Sequence, residues 1–427
     1  MVTPLKKLAI ITSHPIQYNA PLFRLLASRN KIKIKVFYTW SQAIDKAEDR
    51  GFGRTIKWDI PLLDGYDYQV VKNISKTPGT HHRKGIINPS LICEIQKWQP
   101  NAMLVYGWNF VSHFQVMKYF KGKIPVLFRG DSTLLDESKS IKTIVRSLYL
   151  KHVYKHIDYA LYVGTNNKKY FQKNGLTKKQ LIFTPHAIDN DRFSDSSERQ
   201  YNVTRESIDS SKLDGKYKTQ SENMASCSKD RLACKAMEWR RELGYTDADI
   251  VVLFAGKFEP KKNPEMLVEA VNQITKSPNR QITKLLMVGN GILEGKLKAM
   301  SKDNERIKFL PFQNQTKMPT LYRVCDIYCL PSRGPEETWG LAVNEAMASG
   351  RSVLLSDKVG CGIDLVKTDF NGWMFRHDNI HNLKNKLEEL ITSKEHLIQM
   401  GKDAEEFIKK WSFERICKAI ESLMKKI

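Results

Sequence analysis

The segment Pro331–Gly350, PSRGPEETWGLAVNEAMASG, constrains this chain more than any other. The run Asp326–Pro331 that leads into it is apolar and ends at a proline, which reads as a strand. A polar loop follows, and then LAVNEAMASG, a helix-forming stretch that stops at Gly350 as a C-terminal cap. The first-turn amides of such a helix have no partners within it, and the helix dipole adds partial positive charge, so this end suits a phosphate. Gly340 sits there, and without a Cβ it leaves room for close backbone approach. Glu337 precedes the helix and Glu345 lies inside it, so both carboxylates can line one pocket and accept hydrogen bonds from hydroxyl groups. Glu336 is an alternative to Glu337, but the eight-residue register to Glu345 favours Glu337. Spacing alone also fits an ordinary capped helix with a surface glutamate, and the surrounding sequence has to decide.

A chain of 427 residues exceeds the usual size of a single core, so two domains are the default. At 41% hydrophobic and 10% aromatic it can build both cores, and no internal repeat is visible. Leu8–Thr12 reads as the first strand and Ala20–Ala27 as the helix after it. Further strands are expected at Ile32–Tyr38, Ala102–Tyr106, Val126–Phe128 and Tyr159–Val163. Alternation of strands and helices with short polar turns predicts a mostly parallel sheet. From residue 194 to 235 the chain turns polar, as an inserted interdomain stretch would.

No stretch approaches the roughly 18–20 apolar residues that cross a bilayer. The basic start, MVTPLKKLAIITSHP, has too short an apolar run for a secretory signal. Seven scattered cysteines give neither a disulfide framework nor paired zinc spacing, which predicts reduced thiols and a cytoplasmic location.

Net charge is +23 and unevenly spread. Residues 1–190 hold 30 Lys and Arg against 12 Asp and Glu, a net of +18, whereas the remainder holds 39 against 34. Such an excess points to an anionic partner of the first half. No nucleic-acid module is recognisable, so no nucleic acid is expected. An anionic membrane surface remains, contacted peripherally from the inner face through the basic N-terminal domain, as does a phosphate-bearing acceptor. The stretch Lys139–Ile157 carries Ile141, Ile144, Val145 and Leu148 at helical spacing, with Lys142, Arg146, Lys151 and Lys155 largely off that stripe. The favoured expectation is a helix that packs this stripe on the sheet and solvates its basic residues. The other is a helix lying in a lipid interface.

The string Glu337–Gly350 resembles the E-x7-E signature of glycosyltransferase family 4. Val252–Pro264 (VLFAGKFEPKKNP) is similar to that family's strand and basic turn, and Lys284–Gly291 to its base-flanking strand and loop. Ile307–Phe312, Met318–Asp326, Ser356–Val366 and Asn371–Phe375 follow in family order, so the close match spans roughly 245–380. The resemblance implies an α/β fold of the GT-B kind, two Rossmann-like doubly wound domains facing a central cleft. It divides the chain into an acceptor-binding domain 1–193, the insert 194–235, a nucleotide-sugar donor domain 236–410 and a C-terminal helix 411–427 that crosses back to the first domain. Thr184–Phe193 resembles the closing segment of the first domain, with His186 and Ala187 where Asn and Gly are usual.

The same resemblance implies a retaining transfer of a hexose or N-acetylhexosamine from a nucleotide-sugar to a hydroxyl acceptor, without a metal or other cofactor. The default donor is a UDP-sugar, and the acceptor a glycan or lipid-linked precursor. Lys257 and Lys262 would contact the diphosphate, Glu337 the sugar hydroxyls, and Glu345 the ribose. Trp339, Gly340 and Leu341 would offer backbone near the phosphates, with Asn290 beside the base. Arg129 and Asp131 stand where the family often has a His-Asp pair. Arg129 is read there as a phosphate ligand and Asp131 as a sugar or acceptor ligand, with a salt bridge or loop cap equally open for both. His14 and Gln17 follow the first strand, on the usual ligand side of such sheets. The alternatives are a nucleotide-sugar epimerase-like enzyme, or a basic membrane- or nucleic-acid-binding protein that keeps the fold. Retention of both glutamates and both lysines counts against them.

Overall fold

A computed structural model of the chain describes residues 4–43, 48–49, 54–55, 57–138, 140–194, 231–275 and 283–427. Most of the expected insert at 194–235, and Lys139, lie outside the described residues. Two compact units emerge, Met1–Ile188 with Lys410–Ile427, and Asp189–Lys409.

In the first unit seven strands form one parallel sheet: β1 (Lys7–Thr12), β2 (Lys33–Tyr38), β5 (Tyr68–Val70), β6 (Ala102–Tyr106), β7 (Val126–Arg129), β8 (Tyr159–Tyr162) and β9 (Leu181–Phe183). Their order is β5-β2-β1-β6-β7-β8-β9; a separate two-stranded antiparallel ribbon pairs β3 (Glu48–Asp49) with β4 (Arg54–Thr55). The central strands are apolar along their whole length because both faces are covered, as expected of parallel sheets. Side chains alternate between faces, so Ala9 and Ile11 of β1 join Met103, Val105, Val126 and Phe128 in one core, while Leu8 and Ile10 join Ala102, Leu104 and Leu127 in the other. That second core also takes Phe413, Ile416, Cys417, Ile420, Leu423 and Met424 from helix Phe413–Lys426, the last of the chain. Arg29 clamps this helix through Glu414 at 2.6 Å and Glu421 at 2.5 Å.

The second unit has a six-stranded parallel sheet of β10 (Ile250–Ala255), β11 (Thr283–Val288), β12 (Ile307–Leu310), β13 (Ile327–Leu330), β14 (Ser352–Ser356) and β15 (Gly372–Phe375), in the order β12-β11-β10-β13-β14-β15. Both sheets are thus doubly wound. Chain order reverses between β1 and β6 in the first unit and between β10 and β13 in the second. In open parallel sheets ligands settle beyond the carboxyl ends of the strands at such a reversal, where loops diverge and leave a crevice.

Two expectations need correction. The stripe Ile141, Ile144, Val145, Leu148 does not pack on the sheet. Helix Ile141–Tyr154 is anchored instead by Leu150, Val153 and Tyr154, and the stripe faces outward. Its last turn, next to β8, carries enough apolar volume to hold it. Cys93, Cys325, Cys329, Cys361 and Cys417 are free thiols, but Cys234 is disulfide-bonded, a pairing that scattered spacing could not reveal.

Candidate active site at the switch point of the second sheet

Two loops leave the carboxyl ends of the paired strands β10 and β13. After β10 the chain runs through Lys257 into a 3-10 turn, Pro260–Lys262, which ends at Asn263 in the left-handed region and passes into helix Pro264–Thr275. After β13 it passes Ser332 and Glu336, the latter at φ 72°, to reach Gly340 and helix Leu341–Ala348. Arg333 N–H donates to the Lys261 carbonyl at 2.9 Å, which stitches the two loops together. Lys262 and Glu337, 75 residues apart in sequence, are thereby in contact: Lys262 Nζ lies 2.5 Å from Glu337 Oε2. The Ser332 hydroxyl donates to the same oxygen at 2.8 Å.

Glu337 is held from the backbone side as well, since Gly360 N–H donates to its carbonyl at 3.0 Å. Gly360 has to be glycine, because a Cβ would sit 1.8 Å from the Thr338 carbonyl oxygen. Gly340, at φ 95°, takes a conformation that side chains resist, and an added Cβ would also press on Val359 and Leu330. It forms the N-cap of helix Leu341–Ala348 without a side-chain cap; Val343 N–H donates to the Gly340 carbonyl at 2.9 Å, and the amides ahead of it are the ones suited to an outside acceptor. Gly340 and Leu341 are half-buried at this end. Trp339 is only 3% exposed and works as a brace: its indole N–H donates to Asn344 Oδ1 at 2.9 Å and its carbonyl accepts from Cys361 N–H at 3.0 Å.

Glu345 lies one turn inside the same helix, 2% exposed, and accepts from the hydroxyl of fully buried Tyr322 at 2.8 Å. Asn290, in the loop after β11, donates to Glu294 at 3.0 Å and accepts from Phe312 N–H at 3.0 Å, which ties the β11 and β12 loops together. Lys257 is half-buried just beyond β10.

The residues expected in the first unit follow two strands of its own sheet, His14 and Gln17 after β1, and Arg129 and Asp131 at the end of β7. Arg129, the last residue of β7, is 6% exposed and turns inward. It donates to Thr184 Oγ1 at 2.5 Å, to the Thr184 carbonyl at 3.1 Å and to the Pro185 carbonyl at 3.0 Å. Burial lowers its pKa from the usual guanidinium value, while Tyr106 and Asp131 pull it back up. These contacts brace β7 to the segment after β9, the structural role left open for Arg129 beside that of a phosphate ligand. Asp131 and His186 share its surroundings. Burial first, then the Arg129 charge, brings the His186 pKa down to about 4, with Asp131 opposing. His14 accepts or donates at Ser13 Oγ, 3.0 Å away, meets Trp40 edge-on at 5.0 Å, and is lowered to about 4 by burial. Gln17 is half-buried in the same loop.

Sequence reasoning missed Ser332, Tyr322 and His186 as members of these groups. Ser332 directly follows the strand-ending Pro331, the position where a side chain first clears the sheet. Nothing in the sequence marked Tyr322, on helix Met318–Val324, as the partner of Glu345. Among the described residues no group of three or more His, Cys, Asp or Glu is placed to hold a metal ion, and no helix is long and apolar enough to cross a membrane.

Taken together, the second site offers a cation, two carboxylates and an uncapped helix end at one sheet reversal, a set suited to an anionic, hydroxyl-rich ligand. The whole chain is similar in fold to a structure of Anabaena HepE in complex with UDP and glucose, with a TM-score of 0.67, 15% identity, and coverage of 99% of this chain and 100% of that one. It is 25% identical over 303 residues to an uncharacterized glycosyltransferase of Methanocaldococcus jannaschii, covering 70% of this chain and 82% of that protein. A D-inositol 3-phosphate glycosyltransferase of Nocardia farcinica is 30% identical over 180 residues, which are 40% of this chain and 38% of the relative. The family Glycosyl transferases group 1 matches residues 236–407. That span lies in the second unit and contains Lys257, Lys262, Asn290, Glu337 and Glu345, so the candidate site falls within the part of the chain that is similar to group 1 glycosyltransferases, on a fold of the GT-B kind.

Proposed function

We propose that the protein transfers a hexose or N-acetylhexosamine, with retention of anomeric configuration and without a metal, from a nucleotide-sugar to the hydroxyl of a glycan or lipid-linked precursor. The observation that carries this reading is the Lys262–Glu337–Ser332 contact beside the uncapped N-terminus of helix Leu341–Ala348. UDP is the default nucleotide, the one held in the HepE structure.

In this reading the donor diphosphate lies at the helix end, against the Gly340–Leu341 backbone and the ammonium groups of Lys257 and Lys262. The acceptor hydroxyl oxygen bonds to the anomeric carbon on the face from which the diphosphate departs. The bond from that carbon to the diphosphate oxygen breaks, its electron pair stays on the phosphate, and a phosphate oxygen takes the hydroxyl proton. Charge on the leaving group grows as the bond breaks, so fixed cations and amides stabilise the transition state more than the bound donor. Glu337 is shared between Lys262 and Ser332. Arrival of phosphate gives Lys262 a second anionic partner and frees the carboxylate to accept from sugar hydroxyls. Glu345 is positioned by Tyr322 to accept from a ribose hydroxyl at the next helical turn.

A thermal-shift panel of nucleoside diphosphates and nucleotide-sugars, run on the native protein and on Lys262→Ala, tests the donor site. Stabilisation by one nucleotide class, weakened in the variant, supports it and names the donor to use in a transfer assay with stereochemical readout. No shift with any nucleotide at millimolar concentration overturns it.

A further inference from the structure

Helix Ile141–Tyr154 of the first unit presents apolar side chains to solvent in a way no other described helix does. Ile141 is 80% exposed, Ile144 62%, Val145 60% and Leu148 61%. At 3.6 residues per turn these four fall within an arc of roughly 100°, on the side away from buried Leu150. Single exposed aliphatics are ordinary on protein surfaces, but a contiguous ridge of four forgoes hydrophobic burial at every position and calls for a cover.

The surroundings say what the cover is. Lys142 borders one side of the ridge with Arg146 about 40° further round the helix, Lys151 borders the other, and Lys155 lies at its end; all four are exposed. The helix, IKTIVRSLYLKHVY, contains no acidic residue. On the same helix, next to the ridge, Tyr149 is 38% exposed, packs 5.7 Å from Trp108, and accepts from Arg83 Nη1 at 2.6 Å. An aliphatic ridge bordered by Lys, Arg, Tyr and Trp matches the depth profile of a bilayer surface, with acyl chains below, aromatic rings at the headgroups, and ammonium or guanidinium groups among anionic phosphates. A second copy of this chain fits poorly, because it would bring the same basic flanks face to face within a segment of net charge +18.

We propose that the first two turns of this helix insert shallowly into an anionic lipid surface. These turns precede the packed last turn and follow β7, so they stand at the carboxyl end of the first sheet, the end that carries His14, Trp108 and Asp131. Docking there would hold the ligand end of the sheet at the membrane, where a lipid-linked acceptor resides. Only this purpose rests on the proposed function; the binding itself does not.

Co-sedimentation of the full chain with vesicles tests the inference, using phosphatidylcholine alone and phosphatidylcholine mixed with phosphatidylglycerol. The native protein is expected to pellet with the mixed vesicles and far less with phosphatidylcholine. The variant Ile144→Glu/Leu148→Glu should lose roughly ten-fold or more in vesicle affinity. Lys142→Gln/Arg146→Gln/Lys151→Gln/Lys155→Gln should lose a similar amount and most of its salt dependence. Both variants should keep the native melting temperature and the native thermal shift with UDP, so failure here is distinguishable from failure of the donor site. No binding to mixed vesicles overturns the proposal. So does binding that Ile144→Glu/Leu148→Glu leaves unchanged, or a concentration-dependent dimer that this variant dissolves.

Discussion

At the end of β7 Arg129 folds inward and spends its guanidinium on Thr184 and Pro185, whereas beyond the end of β13 the carboxylate of Glu337 is held by Lys262 and Ser332. The two residues are almost equally buried, at 6% and 7% exposed. Their partners differ. Carbonyl oxygens at Thr184 and Pro185 are part of the chain's path and need a donor whether or not a ligand is present. Lys262 is a flexible side chain, still 21% exposed, and Ser332 can rotate its hydroxyl toward another acceptor. A buried charge on fixed backbone groups is scaffold; a buried charge on exchangeable side chains can be re-partnered by a ligand.

That contrast predicts opposite failures. Glu337→Ala should lower transfer by roughly 100- to 1000-fold or more, the scale seen when a preorganised transition-state contact is removed, while circular dichroism and the melting curve stay native. Retained turnover would remove Glu337 from the site. Arg129→Met should do the reverse. It leaves the carbonyls of Thr184 and Pro185 without their buried donor, at about 1–3 kcal/mol each. Chemical denaturation should therefore show a loss of around 3 kcal/mol, with the UDP thermal shift of the second unit intact. Equal loss of nucleotide binding and stability in Arg129→Met would break the comparison. A smaller effect is expected at Glu345. Glu345→Gln keeps the volume and the Tyr322 contact but weakens acceptance from a ribose hydroxyl, so nucleotide affinity should fall about ten-fold, in line with one charge-assisted hydrogen bond. Unchanged affinity would leave Glu345 as a structural partner of Tyr322.

The second unit was the more legible of the two because its chemistry is local. Glu337, Gly340 and Glu345 lie within one strand–loop–helix passage, so their spacing was visible in the chain, and Lys262 follows β10 by the same rule. The contact between Lys262 and Glu337 was not visible, since it depends on β10 and β13 being neighbours across a reversal that strand counting does not order. In the first unit the strands themselves were readable from apolar runs. Arg129 was not, because its partners come from the segment after β9, more than fifty residues on. The helix at Ile141–Tyr154 misled for a different reason. Periodicity locates an apolar stripe without saying which way it faces, and three residues in the last turn, Leu150, Val153 and Tyr154, sufficed to dock the other side.

The same asymmetry between the units should appear on acidification. His113, on helix Val111–Phe120, is fully buried: its Nδ1 faces the Tyr106 and Gly107 carbonyls at 3.0 and 3.1 Å, and its Nε2 lies 2.8 Å from Thr39 Oγ1. Carbonyls only accept, so Nδ1 carries the proton of the neutral ring, and the single Thr39 hydroxyl proton is shared between Nε2 and the Thr12 carbonyl, 3.1 Å away. Burial lowers its pKa to about 4, against the raising effect of the two carbonyls. The unfolded chain then binds more protons than the native one between the ordinary histidine value of 6.5 and about 4. The stabilisation is complete above 6.5 and is lost as pH falls through that window, at up to about 1.4 kcal/mol per pH unit. His14, also lowered to about 4 by burial, adds in the same sense. Both belong to the first unit, while His377, His381 and His396 of the second are partly or largely exposed. Denaturation followed by hydrogen exchange between pH 7 and 5 should therefore loosen the first unit before the second. His113→Gln, which retains a donor and an acceptor but cannot take up the proton, should flatten the pH dependence by about one histidine's share. An unchanged slope in that variant would mean that His113 is already protonated in the native fold.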